Sequence, residues 1–430
     1  EIMPSLVGSE MCIRDRDNSS RTSKWIEIMR TTNPEQNMNK VKAGDIQSTA
    51  VTVTWTPGIQ ADAIVCTPSA ANSSAKTVTY TLTATDISSG SATVTGLEPE
   101  TSYRATLKLG EKTRGYSTFT TNLDLRDAIQ LTPTDDWVTA IQDAAAGSKF
   151  ALAAGEYTLT SAKLQINNNV TIAAQNSGNL PVINTCIHIN NGSSLYLYQV
   201  VMDGTGTDGS QAIEYKTAGG FGDLIISGSE IRNYVKGLIY INVAAVANTI
   251  KIENSIIHDI ECSGGDFIDS RSGGWNNLII SSSTFYSCSA KRDILRADDA
   301  SSKVSASMIT SIDKCTFYNV GNGNANYRFF YLRFPGNTNT FTNNVVANFD
   351  NTRGFANSTS VGVPSYSNNY YYNCKNLTSQ AEGNTQPNLT CFDTEGNILD
   401  KNPFADPDNA DFTITDELFQ SYGFGDPRWY

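Results

Sequence analysis

The chain has 430 residues, a formal net charge of −12 and only 17% charged residues. An acidic chain of this kind offers no general field for phosphate, which excludes a general nucleic-acid binder, and no apolar stretch is long enough to span a membrane as a helix. The length leaves room for more than one domain, and abundant Asn, Ser, Thr and Gly favour turn-rich β-structure over helical bundles. Eight cysteines stand without a CxxC pair, so no zinc or thioredoxin-like site is signalled; buried free thiols are expected. Two histidines, His188 and His258, are too few for a His-rich metal site, and His258 reads as an exposed loop residue.

Residues 1–16, EIMPSLVGSEMCIRDR, stand apart from the rest. PSLVGSEMCIRDR resembles translated sequencing-adapter read-through, so the segment is set aside as non-native, and a signal peptide or anchor is expected to belong upstream of the native chain. Residues 17–37 contain the strand-like run KWIEIMRTT and read as the remnant of a preceding module with a linker.

From 38 to 121 the pattern is one of short alternating runs: VTVTW (51–55), AIVC (63–66), TVTYTLT (77–83), SATVTGL (91–97), YRATLKL (103–109) and YSTFTT (116–121). Strands at this spacing, broken by Gly, Pro, Ser and Asp, predict an antiparallel sandwich. Trp55 on an early strand, and Leu97, Pro99 and Tyr103 of LEPETSY, resemble fibronectin type III modules; the resemblance implies a spacer or a unit that engages a surface partner. A linker at 122–134 leads to DDWVTAIQDAAAG, where Asp135 is the expected helix cap, Trp137, Ile141 and Ala144 recur at helical spacing, and Gly147 can end the helix (135–146). The following FALAAGEYTL completes an order that resembles the start of pectate-lyase-like β-helices, which implies that the helix plugs the open end of a solenoid core.

After early coils over 160–205, one phrase returns six times: GSEIRNY (228–234), NSIIHDI (254–260), SSTFYSC (282–288), KCTFYNV (314–320), NNVVANF (343–349) and NNYYYNC (368–374). Its fourth and seventh positions are apolar or Cys, and its sixth is small and polar (Asn233, Asp259, Ser287, Asn319, Asn348, Asn373) at steps of 26, 28, 32, 29 and 25 residues. A drifting period with a preserved phrase predicts a parallel β-helix in which like residues stack ~4.8 Å apart. The sixth column is expected to form a hydrogen-bonded ladder at a tight turn, and the fifth (Arg232, His258, Tyr286, Tyr318, Ala347, Tyr372) to face outward, unconstrained. The fold class is therefore all-β: a sandwich, then a right-handed parallel β-helix over 135–430 that ends in an aromatic C-terminal cover.

A second strand follows each phrase. GLIYIN (237–242), DFIDSR (266–271), DILRAD (293–298) and RFFYLR (328–333) align by alternation. Ile239, Ile268, Leu295 and Phe330 point inward, which leaves two outward ladders: Tyr240, Asp269, Arg296, Tyr331, and Asn242, Arg271, Asp298, Arg333. Lys291, Arg292 and Arg328 lie just before this face and Trp275 just after it. Such a gathering of Arg, Asp and Tyr suits an acidic sugar chain. β-Elimination of a uronate needs a cation on the C5 carboxylate, a base for the C5 proton and an acid at the leaving oxygen. Arg271, Arg296 and Arg333 are the candidates for cation or assisted base, Tyr331 or Tyr240 for acid, and Asp269 and Asp298 for a Ca²⁺ site, though no compact Asp-rich motif is present. The same residues equally make a plain Arg271–Asp298–Arg333 ion-pair ladder. No paired-carboxylate signature of a hydrolase is found.

The arrangement as a whole, ending in GDPRW, resembles pectate-lyase-like proteins of gut Bacteroidetes that carry no settled catalytic motif. That resemblance implies an exported or cell-surface protein that handles polysaccharide, in the first place as a lyase acting on acidic, uronate-containing glycans by β-elimination, with a non-catalytic glycan-binding protein or adhesin as the alternative; a monomer is expected.

Overall fold

Each coil of the long C-terminal region turns on two residues in left-handed backbone conformation. The first position of the phrase is one: Gly228, Asn254, Ser282, Lys314, Asn343 and Asn368 have φ between 48° and 59°. The sixth is the other, with φ of 62°, 53°, 53°, 53°, 59° and 52° from Asn233 to Asn373. Gly, Asn and Asp tolerate this region at the least steric cost, which is why the sixth column is small and polar. The expected side-chain ladder is present in part: Asn348 donates to Asn319 at 3.1 Å and Asn373 donates to Asn348 at 2.9 Å.

The computed structural model describes residues 35–70, 74–356, 362–379 and 392–430, together with the backbone of three short strands among the first 34 residues. Those strands, Ile2–Met3, Glu10–Ile13 and Ile26–Met29, pair antiparallel. The chain divides into two units, 1–124 and 125–430.

In the second unit the turns generate a parallel β-solenoid of right-handed type. The coils contribute strands to one sheet, running from Ile129–Leu131 to Ser365–Ser367, and to a second sheet, which receives one long strand from each of the first coils (Glu156–Ile166, Val182–Ile189) and two short strands from each of the middle ones. The latter divides into two runs at Val182–Ile189, whose first half pairs with Val201–Asp203 and second half with Ile213–Tyr215. Along the first run the fourth column is in register through Ile231, Ile257, Phe285, Phe317, Val346 and Tyr371. Stacking puts like shapes together: the Phe285 and Phe317 rings lie 5.0 Å apart and 13° from parallel. Each such fully buried side chain contributes roughly 1.5–3 kcal/mol.

The buried polar ladder lies in the second column, not the sixth. Val200 N–H donates to Ser229 Oγ at 3.2 Å, Ser229 N–H to Ser255 Oγ at 3.2 Å, and Ser255 N–H to Ser283 Oγ at 3.1 Å. Further along, Cys315 N–H donates to Asn344 Oδ1 at 2.8 Å and Asn344 N–H to Asn369 Oδ1 at 3.0 Å. The tight turn leaves these N–H groups without a strand partner, so the next coil supplies one. Six cysteines, Cys288 and Cys374 among them, are buried free thiols.

The helix at the start of this unit is shorter than the sequence suggests, Trp137–Gln142, and its cap is Asp136, whose side chain accepts from Thr139 N–H. Asp135 instead accepts from the Thr132 N–H at 2.7 Å and hydroxyl at 2.9 Å, closing the preceding turn. Trp137 and Ile141 join the solenoid core, with the Trp137 ring edge-on to Tyr157 at 5.7 Å.

The first unit is an antiparallel two-sheet sandwich: Ala50–Thr54 with Ser91–Thr95, and Val78–Thr81, Ala63–Pro68, Ser102–Leu109 and Lys112–Thr120 in a second sheet. Its run at 77–83 stops at Thr81, because Thr83 and Asp86 form a capping box that starts a helix, Ala84–Ser89, ended by Gly90 at φ 68°. Buried Tyr103 accepts a hydrogen bond at its hydroxyl from Glu98 N–H at 3.1 Å.

The last ladder strand is Asn397–Ile398; the chain then leaves the ladder and folds back. A hairpin (Phe404–Asp406, Asp411–Ile414) and the helix Glu417–Tyr422 lie on the outward face of the phrase strands, where Phe404, Phe412, Phe419 and Phe424 cluster with Tyr318, Val345, Ala347 and Tyr370. The fifth column is thus not unconstrained: Tyr318 is 5% exposed and Ala347 0%. GDPRW is the clamp. Asp426 accepts from Thr284 Oγ1 at 2.8 Å, Asp426 N–H donates to Thr316 Oγ1 at 3.0 Å, and Trp429 Nε1 donates to Thr284 Oγ1 at 2.7 Å. Gly425 lies so close that a Cβ there would stand 2.7 Å from Val345 Cγ1.

Candidate functional site

The strands after the phrase align as alternation predicts. Tyr240, Asp269, Arg296 and Tyr331 are successive partners, preceded by Glu214. Beneath them Ile239, Ile268, Leu295 and Phe330 are buried, as are Ile241, Ser270, Ala297 and Leu332. The second ladder continues through backbone bonds: Arg271 N–H to Ile241 O at 2.8 Å, Asp298 N–H to Ser270 O at 2.8 Å, and Arg333 N–H to Ala297 O at 2.7 Å.

On this scaffold the charges form a connected network. Arg271 donates to Asp269 at 2.5 Å and to Asp266 at 2.8 Å. Arg296 donates to both oxygens of Asp298, through Nε at 2.9 Å and Nη2 at 3.2 Å, and reaches Asp266 at 3.5 Å. Arg333 donates to Asp298 at 2.7 Å, and Arg328 to Asp293 at 3.2 and 3.3 Å. The simple Arg271–Asp298–Arg333 ladder is therefore realised only in its second half; Arg271 turns to carboxylates on its own coil. Three guanidinium carbons surround the half-buried Tyr331 ring, Arg328 at 3.8 Å, Arg333 at 4.7 Å and Arg296 at 5.1 Å from its centroid.

Burial and pairing set the protonation states. Burial pushes Asp269 up and raises Asp293 to about 6, against the pull of Arg271 and Arg328 respectively. Burial also acts to raise Asp298, but the bonds from Arg296 and Arg333 outweigh it and hold it low. Burial opposes charge on Arg271 and Arg296, yet their carboxylate partners win and keep both firmly protonated. These two arginines can neutralise an anion but cannot serve as the base of an elimination. Tyr240 is raised, by burial first and then by Asp269, so it is a proton donor rather than an acceptor.

Several candidates lie elsewhere. Trp275 is 0% exposed: it begins the strand Gly274–Ser281 in the other sheet, where its indole N–H donates to Thr310 Oγ1 at 3.3 Å. It cannot meet a ligand. Lys291 is exposed on the approach to the face, and Arg292 stands 5.7 Å over the Tyr327 ring. The carboxylates considered for Ca²⁺ do not fit that ion, since Asp269 and Asp298 are both bonded by guanidinium groups, and no metal-ligating cluster occurs among the described residues. His258 is not in an exposed loop. It sits in the strand Ile256–Ile260, stacked 4.6 Å from Tyr286, with Nε2 3.1 Å from Glu230 and Nδ1 2.6 Å from Asp259.

The buried acids Asp266 and Asp293 are the residues that alternation alone did not single out. Each precedes the inward residue by two (Asp266-Phe267-Ile268, Asp293-Ile294-Leu295), in the column that continues with Arg328. Reading that column beside the outward ladders gives the signal: two acids followed by a cation.

Residues 155–288 match the family model described as Domain of unknown function (DUF4957), and residues 310–429 that described as Domain of unknown function (DUF5123). No curated protein matches the chain. Among solved structures, the family 28 exopolygalacturonase of Yersinia enterocolitica is similar at 12% identity over 79% of this chain and 86% of that chain, with a TM-score of 0.23, too loose a likeness to transfer an activity. The arginine face straddles the two matched spans: Tyr240, Asp269 and Arg271 fall in the first, Arg328, Tyr331 and Arg333 in the second, and Arg296 and Asp298 between them.

Proposed function

We propose that this protein binds acidic, uronate-containing polysaccharide along the face from Tyr240 to Arg333. The observation that carries the reading is the set of three guanidinium groups around the partly exposed Tyr331 ring. A uronate presents a planar carboxylate beside an apolar ring face, and Arg next to Tyr matches both. Arg333 retains a buried Nε–H with no partner among the described residues. Binding is favoured over cleavage because the carboxylates on this face are either buried (Asp269) or held ionised and weakly basic by two arginines (Asp298).

A lyase reading has one observation of its own. Tyr240, kept protonated, shares a ladder with Asp269 and Arg296 and could deliver the leaving-group proton. In either reading the first unit serves as a fibronectin type III-like spacer or surface-partner module, supported by the Tyr103 corner, and the helix Trp137–Gln142 as the plug of the solenoid's first end. We place the protein outside the cell or on its surface, as a monomer.

Affinity electrophoresis in gels containing polygalacturonate, alginate or a glycosaminoglycan, read together with absorbance of unsaturated uronate, separates the readings. Retention without absorbance supports binding, absorbance supports the lyase, and neither on any acidic glycan overturns both.

A further inference from the structure

A second cleft lies on a different face and has the opposite chemistry. It encloses about 330 Å³ where the turn of the C-terminal hairpin, Pro407–Ala410, stands against the corner of the phrase strands, at the small end of ligand pockets, roughly 300–1,000 Å³. Its floor is Tyr286 and Tyr318, ladder partners that are each braced by the Phe412 ring, at 5.3 and 5.6 Å. One wall is the left-handed corner column, Asp259, Ser287 and Asn319; the other is Asp408 and Asn409.

The groups facing this space mostly accept hydrogen bonds. Asp408 receives the Tyr318 hydroxyl on Oδ1 at 2.7 Å, which leaves Oδ2 available. Asp259 is held through Oδ2 by His258 Nδ1, which leaves Oδ1. The Ser287 side chain is exposed, and the hydroxyls of Tyr286 and Ser287 have no bonding partner among the described residues. Neither Arg nor Lys lines the cleft. A carboxylate-bearing sugar would meet Asp408 and Asp259, the latter already paired with His258 behind the wall, and no lining cation to bind its own carboxylate, an arrangement that disfavours it. A neutral sugar offers many hydroxyl donors and C–H faces, which two carboxylates and two phenol rings suit.

We infer that this cleft is a subsite for a neutral sugar, formed only because the C-terminal cover folds back over the solenoid. It depends on none of the arginines of the face described above. The rings and the hairpin turn are fixed by packing, so little ordering accompanies binding.

The test is calorimetric titration of the full chain with neutral xylo-, galacto- and manno-oligosaccharides, with tetragalacturonate as competitor and calcium chloride alone as a further arm. At least one neutral oligosaccharide is expected to bind. Tyr286→Ala and Asp408→Ala should each weaken it about tenfold or more, Tyr286→Phe less, Arg296→Ala not at all, and tetragalacturonate should not displace it. Tyr286→Phe and Asp408→Asn keep the test informative where the alanine variants do not fold. Failure of every neutral oligosaccharide, loss in Arg296→Ala with retention in the Tyr286 and Asp408 variants, or saturable calcium binding in place of sugar would overturn the inference.

Discussion

The Arg328 guanidinium lies 3.8 Å from the centroid of the Tyr331 ring, and the same guanidinium pairs with buried Asp293. One contact faces outward and the other inward, so the cation that orients the partly exposed tyrosine is itself anchored in the protein. This coupling ties the outward face to a buried acid, and it has a consequence for pH. Burial raises Asp293 to about 6, which means that folding favours its neutral form. The stability it contributes is present below the unfolded carboxyl value, ~3.9, and is lost as pH rises to about 6. Thermal melts of the wild type and Asp293→Asn between pH 4 and 7 should show the wild type losing stability relative to the variant across that window, with the difference constant above it. A constant difference throughout would contradict the assignment.

His258 has the opposite sign of origin and a different window. Burial disfavours its charge, but Glu230 and Asp259 on its two ring nitrogens outweigh burial and raise it above its ordinary value of 6.5. Its stabilising contribution is complete below that value and fades as pH passes through the raised one. His258→Gln should therefore be less stable than wild type at pH 6, with the gap closing toward pH 9. Chemical denaturation at both values measures it, and a gap that widens with pH would be inconsistent with the two carboxylate contacts.

The coil corners predict a graded series. Asn348 has φ 59° and links Asn319 to Asn373. Asn348→Gly removes the side-chain bonds but suits the backbone, at a cost of about 1 kcal/mol; Asn348→Val adds left-handed strain of roughly 1–2 kcal/mol. Asn344→Ala is worse than the glycine variant, because it strands the buried Cys315 N–H, at about 1–3 kcal/mol. Urea denaturation ranks the three, and an Asn348→Gly variant as damaged as Asn348→Val would rule out the conformational explanation.

Removal of residues 404–430 should leave the coils paired but expose Val345, Ala347, Tyr318 and Tyr370 as one apolar patch. The truncated chain is expected to keep its β-sheet circular dichroism and to self-associate in sedimentation. A monodisperse monomer would show that the cover is not needed to shield this face.

Much of the scaffold was legible because its period-two alternation is repeated coil by coil: the register of Tyr240, Asp269, Arg296 and Tyr331 needs no structure to find. Trp275 was misplaced because the chain changes sheets at 271–274 and the inward alternation starts afresh, so a residue just past the face can be fully buried. Partners one coil away are 25 to 35 residues apart, as with Glu230 and His258 or Asp293 and Arg328, and alternation within one strand carries no trace of them. The aromatic C-terminal sequence announced a cover but not the face it lands on; that depends on Thr284 and Thr316 being outward hydroxyls that Asp426 and Trp429 can bond.

The most direct test of the arginine face is calorimetric titration of tetragalacturonate and its fully methyl-esterified form into the wild type, Tyr331→Ala and Arg296→Ala, with melting curves to show that each variant is folded. The proposal predicts that the acid form binds at least about tenfold more tightly than the ester, that the preference shrinks with added salt, and that both variants lose it. Equal affinity for acid and ester, or a preference that survives in Arg296→Ala and Tyr331→Ala, would contradict it.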